Sequence, residues 1–478
     1  MFWIIFWIVI YLTMLLILSL RHVKSTDMEQ YMVNNRRTSL FPLIATTAAT
    51  FVGGGASFGL MATGYEGGFV AVGIGLAHVI GFVIIAQFAG KIRDFGAEHK
   101  IYSLPHYLNF VYGDPDNPKF SAIFSKSISG VNIFIFFFMV ATQFVAMATL
   151  LKFSFEIGFN LAAAISASVI ILYTALAGLS GVIITDMAQF ITIILMTFII
   201  LIPGIWIDTD GLSRFSELPA EMLNGTKYGL VFLIGLPLFF SWSVLVRMDI
   251  WQRILAAKSA KVAKRMTIWT GFVMIPFYIV FPMVGMTILL NNGSNILPEE
   301  VAHLFLMKHT NEFMMGFAVV GLLSALMSSG DSFLNIIAIS SVKDFVKGNN
   351  KGPLTQKDYK WIKLMAVIFG AIALMMALVF PKVVDMMVLA LSTITLFVPI
   401  TLLALIHKNA GKYHRVAWWS LLSGFIVNIV FFIYGLAMPQ HFEAKSSFVP
   451  GVIVATFVLL AGMMYYKRKH PEALKQTV

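Results

Sequence analysis

The stretch Ala48-Ala49-Thr50-Phe51-Val52-Gly53-Gly54-Gly55-Ala56-Ser57 interrupts an apolar run that extends from 41 to 63. It begins to break about eleven residues in from Phe41, which at 1.5 Å per residue is near a bilayer midplane. Three glycines in succession favour unwinding there. Irregular backbone survives at membrane depth only where protein or a water-filled cavity satisfies its hydrogen-bonding groups, so the interruption marks a candidate site. A second one follows in Gly235-Leu236-Pro237-Leu238-Phe239-Phe240-Ser241-Trp242-Ser243, where Pro237 removes a backbone donor. The two lie five apolar runs apart. Paired breaks at matching positions are what an inverted-repeat transporter would present. The plainer alternative is a glycine packing patch and a proline kink, both common in membrane helices.

The rest of the chain fits a membrane setting. Of 478 residues, 59% are hydrophobic and 12% charged, too little polar surface to cover soluble domains of that size. Thirteen apolar runs are predicted as spanning helices: 2 to 20, 41 to 63, 67 to 90, 121 to 151, 157 to 178, 181 to 207, 229 to 252, 267 to 290, 313 to 341, 361 to 380, 384 to 407, 416 to 438 and 449 to 466. The first lacks a basic leader and a small-residue cleavage site, and reads as a retained helix. The fold class is therefore an all-α integral membrane protein. The connections 91 to 120 and 342 to 360 have room for short surface helices and none for a catalytic domain.

The net charge of +11 follows the loops rather than a nucleic-acid patch. Alternate connections hold Arg21, Lys24, Arg36, Arg37, Lys91, Arg93, Lys100, Arg253, Lys258 and Lys261, and continue so to Lys475. The opposite set holds only Arg214, Lys227, Lys308, Lys382 and Lys445. This asymmetry predicts a cell-membrane protein with its N-terminus outside and its C-terminus in the cytoplasm. There is no cysteine, which excludes disulfides and thiolate chemistry. Without an HExxH, Walker A or GxSxG motif, the sequence offers an enzyme no nucleophile, metal or phosphate cradle. No nucleic acid and no obligate protein partner are called for. The expected partners are the lipid bilayer, an ion and a small organic solute.

The run Ala325-Leu326-Met327-Ser328-Ser329-Gly330-Asp331-Ser332-Phe333-Leu334-Asn335 carries an oxygen-rich face, because Ala325, Ser328, Ser329 and Ser332 share one side of a helix. Hydroxyls and backbone carbonyls suit a hard cation such as Na⁺ bound weakly and reversibly. Equally open is hydrogen bonding of these serines back to their own helix or to a neighbour. Asp186, Asp249, Asp331 and Asp385 are carboxylates in or near spans, each expensive in hydrocarbon. Asp186 follows a tight turn at Ala177-Gly178-Leu179-Ser180-Gly181, one turn into its helix near the cytoplasmic face, where it could stabilise a cation leaving inward or cap and pair locally. Asp385 reads as an interfacial pair with Lys382. Arg247 lies well inside its span and has two readings: a clamp on a solute carboxylate, or an internal pair with an aspartate of a neighbouring helix. On a helix Asp249 would point away from it. His78 is the one histidine inside a span.

Together these residues resemble the sodium/solute symporter family, which includes proline, galactose, sialic acid, pantothenate and choline transporters. The Ala49-to-Gly55 break is similar to the family's first core helix and Gly178 to Gln189 to its fifth. Trp251-Gln252-Arg253-Ile254-Leu255-Ala256-Ala257-Lys258-Ser259 is similar to the segment after the sixth, and Ala325 to Asn335 to the ion-binding eighth. The resemblance implies a main sodium site from the carbonyls of Ala49, Val52 and Ala325 with the hydroxyls of Ser328 and Ser329, and a second sodium position at Asp186. It implies the five-plus-five inverted repeat of the bacterial leucine transporter, here over 41–207 and 229–407. One extra helix (1–40, with its loop) would precede this core, and two helices and a tail (416–478) would follow it. Phe51 stands where choline-transporting members carry tryptophan, and Arg247 replaces another cage aromatic. A solute that is anionic or zwitterionic is therefore expected, lined by Phe51, His78, Gln143, Phe240, Ser243 and Arg247. The function expected is sodium-coupled symport by alternating access; the alternative from another class is a membrane-embedded solute sensor without transport.

Overall fold

In the computed structural model, residues 1–20, 28–114, 116–176, 179–348 and 355–469 are described, and no strand forms among them. The turn at Ala177 and Gly178 lies outside the described residues. Among the described residues ten helices are long and apolar enough to cross a membrane, or eleven with the bent pair Leu40–Phe51 and Gly55–Gly67 taken as one span. Phe2–Leu18 and Phe159–Leu172 are shorter apolar stretches.

The first helix, α1 (Phe2–Leu20), is apolar all round and packs on the helix that carries the serine face. Gly316 allows this contact, since a Cβ there would sit 2.5 Å from the Trp3 carbonyl oxygen. Trp7 fills the groove with its ring 5.3 Å from Phe313 and 5.4 Å from Phe317. The broken span consists of α2 (Leu40–Phe51) and α3 (Leu60–Gly67), the latter entered through a π turn at Gly55–Gly59. The two halves meet at 58°. Helix α4 (Val70–Glu98) follows, then α5 (Leu104–Tyr112), a short helix capped by the Ser103 hydroxyl, which accepts from the His106 amide at 2.9 Å. Helix α5 falls in the 91–120 connection where a short surface helix is expected, but Leu104, Pro105, Tyr107, Leu108, Asn109 and Tyr112 are buried.

Helix α6 (Pro118–Phe155) is longer than its apolar run: Asn117 caps it and Pro118 starts it, several residues before hydropathy would. Helices α7 (Phe159–Leu176) and α8 (Leu179–Met196) follow, with α8 continuing through a π turn to Asp208. The seventh apolar run is not one helix. It is α9 (Gly229–Leu238), a 3₁₀ segment from Phe240 to Val246, an extended residue at Arg247, and α10 (Met248–Ala256). The interruption thus lies just after Pro237 and extends further than the sequence suggests. Then come α11 (Ala260–Asn292), α12 (Val301–His309), α13 (Glu312–Ile339), α14 (Gln356–Val379), α15 (Val383–Thr395), α16 (Val398–Ile406), α17 (His414–Ala437) and α18 (Phe448–Lys469).

Small residues set the close approaches. Helix α11 runs along α4 and α3, and at Gly285 a Cβ would lie 2.0 Å from the Met61 carbonyl oxygen and 2.5 Å from the Tyr65 amide nitrogen. Both are backbone atoms and cannot rotate away. Gly285→Ala is therefore expected to destabilise the protein by about 1–3 kcal/mol through overpacking, read as a lower melting midpoint in detergent. An unchanged midpoint would contradict this packing.

Candidate functional site

Helix α2 ends at Phe51, where the Val52 amide makes the last helical bond to Ala48 at 3.0 Å. Beyond it, the backbone at Gly53 and Gly54 is pressed against α13 and α6. A Cβ on Gly53 would stand 2.0 Å from Ser329 Oγ, and the Gly54 amide donates to Gln143 Oε1 at 2.7 Å. Gln143, expected to line the solute site, here holds the first break to α6.

Against this break lie the two adjacent serines of α13. Ser328 Oγ donates to the carbonyls of Ala49 at 2.9 Å and Ala325 at 3.0 Å. Ser329 Oγ donates to the carbonyls of Thr50 at 2.7 Å and Ala325 at 3.2 Å. Ala49, Val52, Ala325, Ser328 and Ser329 are all fully buried. The carbonyls of Ala49 and Ala325 and the two hydroxyls expected from the sequence thus converge on one seam between α2 and α13. Thr50, inside the quoted stretch but not singled out, adds its carbonyl. A hydroxyl that turns its proton aside offers a lone pair, so these oxygens can face a hard cation together.

Asp186 on α8 is fully buried close to this seam but is not bound to the two serines. Its Oδ2 accepts from Thr46 Oγ1 at 2.5 Å and pairs with Arg253 Nη2 at 3.6 Å. Asp186 Oδ1 has no hydrogen-bond partner among the described residues. The same Arg253 nitrogen donates to Thr50 Oγ1 at 3.0 Å and Ser332 Oγ at 2.8 Å, joining α10 to α2 and α13. Arg253 is as buried as Arg247, although the sequence reading assigns it to a cytoplasmic connection. Asp331, also fully buried, lies within electrostatic reach of Asp186 and Arg253.

Arg247 and Asp249 correct one expectation. Arg247 has extended backbone, φ −74° and ψ 121°, and precedes α10 instead of lying within it. Its side chain therefore folds forward onto Asp249, with Nε to Oδ1 at 3.0 Å and Nη2 to Oδ2 at 2.6 Å. The partner is a near neighbour on the same segment, not an aspartate of another helix. The guanidinium carbon sits 3.9 Å from the centroid of the Phe51 ring. His78 adjoins this cluster, 5.9 Å from Phe51, 5.0 Å from Phe240 and 5.7 Å from Tyr278 by ring centroids. Ser243 is buried, its hydroxyl without a partner among the described residues.

A cavity opens on the α3 side of the break, lined by Gly55, Gly59, Ile74, Phe240, Leu391 and Ser392 among others. Of the six solute-lining residues expected from sequence, only Phe240 lines it; Phe51, His78 and Arg247 pack together on the far side of Phe240. Its α15 wall is Val384, Met387, Val388 and Leu391 with Ser392 as the one polar side chain, too weak a pattern for sequence reasoning to single out. Lys445 stands at its edge, 3.6 Å from Glu66 and 4.1 Å from the centroid of the Tyr228 ring.

Known proteins share this architecture. The chain is 25% identical to the sodium/proline symporter of Staphylococcus aureus, covering 94% of this chain and 90% of that one. It is 22% identical to sodium/proline symporter 2 of Staphylococcus saprophyticus, over 96% and 92% respectively. Among solved structures, a Na⁺-coupled sialic acid symporter in a substrate-bound outward-open state superposes with a TM-score of 0.75 at 16% identity, over 97% of this chain and 98% of that one. Mhp1, a nucleobase-cation-symport-1 family transporter in a closed conformation, gives 0.56 at 12% identity, over 92% and 95%. The model of the sodium:solute symporter family matches residues 31–424, most of the chain. With the broken helix, the serine seam and this match in agreement, the chain belongs to the sodium:solute symporter family and is a sodium-coupled secondary transporter.

Proposed function

We propose that one Na⁺ binds at the α2–α13 seam through the carbonyls of Ala49, Val52 and Ala325 and the hydroxyls of Ser328 and Ser329, and drives uptake of a small zwitterionic solute. The observation that carries this reading is the convergence of Ser328 and Ser329 on the Ala49 and Ala325 carbonyls beside an unwound helix. Ion binding there would hold the break in one shape and raise solute affinity, and by linkage the solute would raise sodium affinity equally. Asp186, whose Oδ1 has no hydrogen-bond partner among the described residues, is the candidate for a second ion. The solute would occupy the cavity by Gly55 and Phe240. Arg247 is neutralised by Asp249 and Lys445 is paired with Glu66, so neither leaves a lone cation for a free anion. An amino acid with an apolar body fits the aliphatic walls better. The relatives named as sodium/proline symporters make proline the first to try.

The architecture that goes with this is thirteen spans, with inverted repeats over 41–207 and 229–407, the N-terminus outside and the C-terminus cytoplasmic in a bacterial cell membrane. Nothing favours the sensor alternative.

Sealed proteoliposomes containing the purified chain should accumulate radiolabelled L-proline or another zwitterionic amino acid under an inward sodium gradient, and not under a matched potassium gradient. Accumulation of organic anions alone would overturn the solute class. Accumulation that ignores sodium would overturn the ion site.

A further inference from the structure

The Arg247–Asp249 pair sits where both interrupted helices meet. Arg247 ends the second interruption and starts α10, while Phe51 ends α2 at the first. The guanidinium lies 3.9 Å from the Phe51 centroid and 5.9 Å from that of Phe333, which is on α13 one residue past Ser332. Asp249 engages two of its nitrogens, which fixes the plane of the fork. A second tie supports the interruption from behind, since Trp251 Nε1 donates to the Leu245 carbonyl at 2.7 Å.

We propose that Arg247, held by Asp249 against the Phe51 ring, is a positioning residue that couples sodium occupancy at the α2–α13 seam to the shape of the solute cavity, and is not an anchor for the solute's charge. The proposal rests on the sodium site described above. Phe51 lies between Ala49 and Val52 in the chain, so a change in how those carbonyls are held would displace the ring as a body. The ring bears on the guanidinium, and the guanidinium is the first residue of the segment that leads back through the 3₁₀ turn to Phe240. Phe240 is the one residue of this group that borders the cavity. A flat cation stacked on an aromatic face transmits displacement in either direction because neither partner is free to reorient. The fork is pinned by Asp249, and the ring is packed 4.9 Å from Phe82.

The chain has no cysteine, so a single Val388→Cys on the cavity wall gives a clean maleimide reporter of cavity opening. Its labelling rate in lipid nanodiscs, in Na⁺ against K⁺ at matched ionic strength, should change by at least about fivefold, the lower end of ordinary coupling. Adding Phe51→Leu should remove that sodium response while saturable binding of radioactive sodium persists. Phe51→Tyr, which keeps the aromatic face, should retain the response, and Arg247→Lys, which keeps charge but not the planar stack, should blunt it. A full sodium response in Phe51→Leu, or loss of it in Phe51→Tyr with sodium still bound, would overturn the proposal. Absence of sodium binding in the reporter protein itself would instead remove the sodium site on which it rests.

Discussion

Gly53→Ala is expected to cut sodium-driven uptake at least about a hundredfold, the equivalent of roughly 2.7 kcal/mol, while leaving the amount of reconstituted protein unchanged. The added Cβ would lie 2.0 Å from Ser329 Oγ and 2.6 Å from Ser329 Cβ. The first clash is relieved by turning the serine hydroxyl, but the second is not, because both Cβ atoms are fixed by their backbones. Either α2 withdraws from α13 or the break changes course, and in both cases the carbonyls of Ala49 and Thr50 part from the two hydroxyls. Gly73→Ala is the matching control, since its Cβ would meet only Leu236 Cδ1 at 3.4 Å, at the edge of ordinary van der Waals contact. Uptake by Gly53→Ala within threefold of the unaltered protein would show that transport does not need this seam closed.

Ser329→Ala should weaken sodium activation of uptake by about tenfold to a hundredfold, roughly 1.4 to 2.7 kcal/mol, with a smaller effect on the maximal rate at high sodium. In the proposed site Ser329 supplies one hydroxyl and holds the Ala325 carbonyl, so its loss would remove one ligand and loosen another. If the serine served packing alone, folded protein and uptake would fall together, and the sodium concentration for half activation would stay fixed. Titrating uptake against sodium at constant ionic strength distinguishes the two.

The legible parts of this molecule are those where one residue type does something no other can. Gly53 to Gly55 and Pro237 marked the two interruptions because only glycine lets backbones approach so closely and only proline withholds an amide. Ser328 and Ser329 were legible because helical spacing alone brings them to one face. What stayed hidden depends on local conformation or on distant partners. Asp249 was set aside as pointing away from Arg247 on the assumption of a helix; the extended backbone at Arg247 reverses that geometry. Asp186 is open in the sequence between a cation role and a local pair, and the resemblance puts a second sodium there. Its observed partners, Thr46 and Arg253, come from α2 and α10, far away in sequence, and Arg253 looked like an ordinary loop cation. The cavity wall on α15 is apolar but for Ser392, and in a chain that is 59% hydrophobic another mostly aliphatic face carries little information.

Equilibrium binding of radioactive sodium to the purified full chain in lipid nanodiscs, with and without the double substitution Ser328→Ala and Ser329→Ala, puts the seam to trial most directly. The unaltered chain should bind sodium saturably in the presence of excess potassium, and the doubly substituted chain, equally folded by its melting midpoint, should lose one bound ion. The same number of ions held at the same affinity by both proteins would place the coupling ion elsewhere and contradict the account.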